Sequence, residues 1–166
     1  MYKSKPNQKK SEFDEKVICI DRVCRTVKGG RRMSFRALVA IGNRKDKVGI
    51  GTGKAKEVLT AVNKAVAKAK KKMITVNSQN GTIPHEIIID YGSSKLFMKP
   101  ASSGTSLIAG GSVRTILELA GIKNILTKII GSSSKINNAK ATIIALKLLN
   151  NRSKETVVAK KDIKEE

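Results

Sequence analysis

The residues in this chain best suited to chemistry are basic, and they cluster. Arg22, Arg25, Lys28, Arg31 and Arg32 surround the pair Gly29-Gly30, with almost no acid beside them. Glycine lets a loop turn at positive φ and lets backbone come close to a ligand. A surround of cations selects a polyanion as that ligand, above all a phosphate backbone. The whole chain agrees: its formal net charge is +21 over 166 residues. Such a charge repels itself until a polyanionic partner neutralises it.

Composition narrows the partner further. Aromatic residues make up 3% of the chain and Trp is absent, so stacking bases on aromatic rings is nearly unavailable. Recognition of shape and backbone is expected instead. An anionic membrane surface is the rival partner, but no apolar run approaches the ~20 residues that span a bilayer. The first segment, MYKSKPNQKKSEF, has neither an apolar centre nor a small-residue cleavage site, so it does not read as a secretory signal.

Other chemistries fit less well. GIGTGKAKE (Gly49 to Glu57) resembles a phosphate loop, yet Val48 stands where the first glycine belongs and Ala55 follows Lys54. The dinucleotide pattern fails as well, because its third glycine falls one position early at Gly53. We expect a strand-to-helix junction whose glycines let RNA approach, with Lys54 and Lys56 as further RNA contacts. The Gly/Ser loop from Pro100 to Gly111 precedes a helix N-terminus, where free N–H groups can cradle phosphate. Small-molecule kinases of the galactokinase and homoserine kinase type carry such a loop. The acidic pair they need for magnesium is missing; Asp90 and Glu118 are the only carboxylates nearby. His85, the sole histidine, has no partner marked out by spacing and reads as a turn or strand-start residue. Cys19 and Cys24 cannot complete a zinc site with one histidine. Their odd spacing puts the thiols on opposite faces of a strand, so reduced thiols are expected. No catalytic residue, metal or cofactor is expected.

These residues need elements to position them. Lys16 onward (VICIDRVCRTV), Ser34 to Gly42 and Val48 to Gly53 read as three strands of an antiparallel meander, with Asn43 to Lys47 as a polar turn. Leu59, Val62, Val66, Ala69 and Met73 form the apolar stripe of a helix. After the linker from Asn77 to Gly81, His85 to Gly92, Lys95 to Pro100 and Ile125 to Ile130 read as strands. One helix is expected with Ser112 as N-cap, Val113, Ile116, Leu117 and Ala120 buried, and Gly121 as its stop. A last helix carries Ile136, Ala139, Ile143, Leu146 and Asn150 on a wide apolar face. The fold class is therefore α+β: two small α/β units in tandem, over residues 13–76 and 77–150, the second of βαβα type. A flexible basic arm (1–12) and a charged tail without structure (151–166) flank them.

Several segments together resemble one family. VKGGRRMSFRALVAIG, VGIGTGKAKEV, TIPHEI, KPASSGTSLIAGGSVRTILELAGIKNIL and GSSSKINNAKATI occur in the order and spacing of the universal ribosomal small-subunit protein five family, bacterial type, over residues 13 to 148. The resemblance implies a non-catalytic component of the small ribosomal subunit, in bacterial cytoplasm or in an organelle. It implies a double-stranded-RNA-binding-like first unit, and a second unit sharing its fold with the kinases above. Implied partners are 16S-type rRNA near the head–body junction, mRNA where it enters the subunit, and ribosomal proteins four and eight. Implied roles are support of translational accuracy and unwinding of structured mRNA. The loop Val23 to Arg32 would contact rRNA, near where spectinomycin binds, with Gly29 and Gly30 shaping it. Gly104, Thr105, Ser106 and Arg114 would face protein four. Three positions depart from the family pattern: Cys24 for a small residue, Asn43 to Lys47 for a glycine-rich turn, and Ser106 for a glycine. A free double-stranded-RNA-binding protein and a kinase-like phosphate binder are the alternatives.

Overall fold

The computed structural model describes residues 12–78, 80–149 and 159–160. Strands β1 (Asp14–Val27), β2 (Gly30–Gly42) and β3 (Lys47–Ala55) form an antiparallel meander. Helix α1 (Val58–Lys71) follows, and β4 (Ile74–Thr75) returns to the β3 edge. The second unit contains β5 (Ile87–Tyr91), β6 (Ser94–Pro100), β7 (Leu107–Ile108), α2 (Gly111–Ala120), β8 (Ile125–Ile129), α3 (Lys135–Leu149) and β9 (Ala159–Lys160). Its sheet runs in the order β7-β8-β6-β5-β9. This is the expected α+β architecture. Strands β4, β7 and β9 were not anticipated; each has two residues, too few to show alternation. Strand β9 corrects the expectation of a wholly unstructured tail, since Ala159 and Lys160 pair parallel with Ile89 and Asp90. The arm before Glu12, Asn150 and the rest of the tail lie outside the described residues.

Strand β2 organises the molecule. From Ala37 to Gly42 every residue is buried, which requires cover on both faces. Ala37, Val39 and Ile41 pack with Ala61, Ala65 and Ala69 of α1. Leu38 and Ala40 point the other way and join a core with Val113, Ile116, Leu117 and Leu119 of α2 and Ala139, Ala145 and Leu146 of α3. The two units therefore share one core across the first sheet.

Helix α1 corrects two expectations. Its buried stripe is Ala61, Ala65 and Ala69, while Leu59 is 78% exposed and Val62 and Val66 are half-buried. The reason lies in β3. A Cβ on Gly49, Gly51 or Gly53 would fall 2.7, 2.1 and 2.1 Å from the carbonyl oxygens of Ala69, Ala65 and Ala61. These glycines let the helix lie directly on the strand, so close packing accounts for them. A bulkier stripe would hold the helix away.

The helices also differ at their ends. Helix α2 is capped by Gly110, not Ser112: Arg114 N–H donates to the Gly110 carbonyl at 2.7 Å, and the Ser112 side chain is buried inside the first turn. Gly121 ends α2 in the left-handed region at φ 85°, as expected. Its missing Cβ leaves room for the carbonyl of Arg44, and Arg44 N–H donates to the Leu119 carbonyl at 2.9 Å. The turn holding Arg44 is built by Asn43, whose Oδ1 accepts from the N–H groups of Lys45, Asp46 and Lys47. One asparagine thus replaces a glycine-rich turn, with Arg44 at φ 57°. Lys16 Nζ also reaches Glu118 Oε2 at 2.5 Å, tying β1 to α2.

Two outcomes test this packing. Gly51→Ala should lower the urea-unfolding free energy by about 1–3 kcal/mol, because the Ala65 backbone cannot yield. Gly29→Ala, with nothing within 4 Å of the new Cβ, should stay within about 0.5 kcal/mol of wild type. The second outcome concerns pH. The Lys16 hydrogen bond, with smaller help from neighbouring cations, holds the Glu118 carboxyl below its ordinary value. A depressed carboxyl stabilises the fold above its unfolded-state value and loses that contribution as pH falls through its folded value. The thermal midpoint of wild type should exceed that of Glu118→Gln at neutral pH, and the gap should close in acid.

Candidate nucleic-acid interface

The cluster expected as a loop is a paired ribbon. The ladder of β1 and β2 continues through Arg25↔Arg32 and Thr26↔Arg31 to Val27↔Gly30, leaving only Lys28 and Gly29 in the turn. Strand β2 thus begins at Gly30, four residues before the expected Ser34. Gly30 at φ +137° is the glycine this geometry requires; Gly29 has open space around it and no such conformation. Strand β3 pairs no further than Phe35↔Ala55, so among the described residues the ribbon beyond that point has two strands.

Strand alternation distributes the cations. Arg25 and Arg32 oppose each other on one face, while Arg22 and Arg31 stand on the other and Lys28 caps the tip. All five are exposed, and none has an ion-pair partner among the described residues. The ribbon's acid, Asp21, is taken by Arg36 at 3.0 Å. Like charges directly opposite destabilise a strand pair, so Arg25 and Arg32 are held together at a cost until an anion lies between them.

The face of Arg25 and Arg32 continues into Arg36, whose cross-strand partner is Lys54. At the ribbon's root, Ser34, Lys54, Ala55, Lys56, Glu57, Thr60 and Lys64 enclose a groove of about 460 Å³. The structure thereby joins Lys54 and Lys56, and it adds Arg36 and Lys64, which the sequence reading did not assign to the site. Lys64 projects from α1, two turns from its start, into the same groove. That arrangement depends on how the helix crosses the sheet, and spacing alone does not show it. The groove's one carboxylate, Glu57, accepts from Thr60 Oγ1 at 3.3 Å.

The second set of candidate residues divides. Gly104, Thr105 and Ser106 lie in one turn: Thr105 N–H donates to the Ser102 carbonyl at 3.2 Å. Gly104 and Ser106 both have positive φ, 96° and 65°. Ser106 therefore occupies a conformation that suits glycine, supported by its N–H donating to Asn124 Oδ1 at 3.2 Å. Arg114 stands apart on the exposed side of α2, close enough to Glu118 to help depress its carboxyl. The Gly/Ser loop does not run straight into that helix, because β7 intervenes and pairs with β8. Among the described residues no group of three His, Cys, Asp or Glu side chains could hold a metal ion, and no helix is long and apolar enough to cross a membrane. His85 sits in a bend before β5. Both cysteines are free; Cys19 is buried, which pushes its thiol up, and Cys24 is exposed on the other face.

The opposed arginines give a direct test. Arg32→Ala should raise the unfolding free energy of the free protein by about 0.2–1 kcal/mol at low salt. The gain should shrink toward zero in 1 M salt, where screening acts within about 3 Å. A loss of stability at low salt would mean that Arg32 has a partner in the folded chain.

Comparison with known proteins identifies the family. Residues 13–77 match the family model for the N-terminal domain of ribosomal protein S5, and residues 89–161 match that for its C-terminal domain. The small ribosomal subunit protein uS5 of Thermotoga neapolitana is 53% identical over 138 residues, covering 83% of this chain and 78% of that protein. Its counterpart from Campylobacter jejuni is 52% identical over 140 residues, covering 84% and 95%. That of Picosynechococcus is 53% identical over 144 residues, covering 86% and 83%. With both domain models matched in order and half the residues identical to bacterial relatives, this chain belongs to the ribosomal protein S5 family.

Proposed function

We propose that this chain is a structural protein of the small ribosomal subunit, holding 16S-type rRNA through the cationic ribbon and the groove at its root. The observation that carries the reading is the set of five exposed cations, without an ion-pair partner among the described residues, at the far end of a strand pair in which β2's other end is buried on both faces. Arg22, Arg25, Lys28, Arg31 and Arg32 make phosphate contacts, with Lys54, Lys56, Lys64 and Arg36 beneath them. Such contacts position a protein without reading bases. A body anchored this way joins head and body of the subunit. From there it bears on translational accuracy and on mRNA entering the particle.

The turn at Gly104, Thr105 and Ser106, with Arg114, faces a neighbouring ribosomal protein, of which proteins four and eight are the candidates. The strained backbone at Ser106 favours a surface whose shape is set before contact. The particle's setting is the cytoplasm, as for a bacterial small subunit.

Two measurements test the proposal. Tagged protein should co-sediment with small subunits on a sucrose gradient through a moderate-salt wash; a peak confined to ribosome-free fractions would leave a free RNA-binding role. Arg31→Ala should weaken rRNA binding and flatten the plot of log affinity against log salt by about 0.7–0.9, one phosphate's worth. An unchanged slope would remove Arg31 from the contacts.

A further inference from the structure

We propose that the ribbon is a two-sided wedge that lies between two separate RNA segments and grips each with one face. This rests on the rRNA-binding reading above and deepens it. The ladder shows no register shift from Cys19 to the tip, so alternation assigns every side chain beyond that point to a face. One face carries Arg25 and Arg32 opposite each other, with Arg36 and Lys54 in line toward the root. The other carries Arg22 and Arg31, separated by Cys24 and Met33. Among the described residues no third strand pairs with the ribbon beyond Phe35↔Ala55, and Phe35 itself packs against the α1 cluster.

A ribbon with side chains on both faces is about 10 Å thick, and side chains leaving opposite faces diverge. One phosphate backbone lying on one face cannot neutralise cations projecting from the other. A chain that met one RNA segment would need arginines on one face only, with neutral residues behind them. Here two pairs, on opposite faces, have no ion-pair partner among the described residues.

The faces also differ in what they suit. The first is a run of cations, Arg25, Arg32 and Arg36, set among Ser34, Val23 and Val27, and it continues through Lys54 into the basic groove at the root; it fits the phosphate track of a duplex. The second presents Met33 at 42% exposure and Ile20 at 45% beside its two arginines. A mixed surface of this kind fits sugars and base edges, as in a shallow groove or at a strand end. The wedge thus holds two segments at a fixed separation, one by its phosphates and one by its sugar edge.

Hydroxyl-radical footprinting of full-length protein on small-subunit rRNA tests this with two double variants, Arg25→Ala/Arg32→Ala and Arg22→Ala/Arg31→Ala. Each should lose protection at a different RNA segment while keeping the other's, and each should reduce the salt slope by about two phosphates' worth. Loss of the same segment by both variants would overturn the two-sided wedge while leaving rRNA binding by the ribbon intact. No change in affinity or protection by either would overturn the wedge and the ribbon's role in binding together. Urea midpoints within error of wild type, and the same pattern from the corresponding Arg→Gln pairs, would exclude misfolding as the cause.

Discussion

Everything else in this structure depends on β2 being buried on both faces over Ala37 to Gly42. A strand in that position needs cover above and below, and each cover makes a different demand. On one side the demand is closeness, met by three glycines of β3 against three alanines of α1. On the other it is apolar bulk, supplied by the leucines and isoleucine of α2. The first unit cannot cover both faces with its single helix. The second unit supplies the missing layer, so the two units pack as one body across the sheet. The Asn43 turn and Gly121 press together at the end of that seam.

This arrangement accounts for how a strongly charged chain presents its charge. Strand β2 is anchored at its C-terminal half and charged at its N-terminal half, and β1 runs beside it throughout. The anchored half fixes the direction in which the cationic half projects. The opposed arginines at the far end are tolerable because the stability of the body is supplied elsewhere, by the shared core. The repulsion between Arg25 and Arg32 thereby falls on an element that can bear it.

The sequence made part of this legible. Alternating β-branched residues announced the meander, and the periodicity of Val113, Ile116, Leu117 and Ala120 placed a helix face correctly. The basic cluster was visible from residue types alone. Helix α1 was harder, because hydrophobicity favoured Leu59 and Val62 as its inner face. Close approach to the glycines of β3 selected alanine instead, and that requirement exists only in the packed structure. Strand register was equally hidden: no spacing rule says that Arg25 faces Arg32 and not Arg31. For the same reason Lys64 and Arg36 escaped notice, since helix-to-sheet crossing brings Lys64 to the groove and strand pairing sets Arg36 beside Lys54. Ser106 lies between these cases, a departure visible in sequence whose positive φ only the backbone reveals.

The most direct measurement is amide hydrogen exchange on the full-length protein, alone and with small-subunit rRNA. Amides of Ala37 to Ile41 should exchange only through global unfolding, at the rate of buried amides in α2 and α3, because both units cover them. Amides of residues 24–33 should exchange far faster in the free protein and become protected when rRNA is added. If β2 exchanged well ahead of α2 and α3, the two units would not share a core. If rRNA left residues 24–33 unprotected, the ribbon would not be the RNA-binding element.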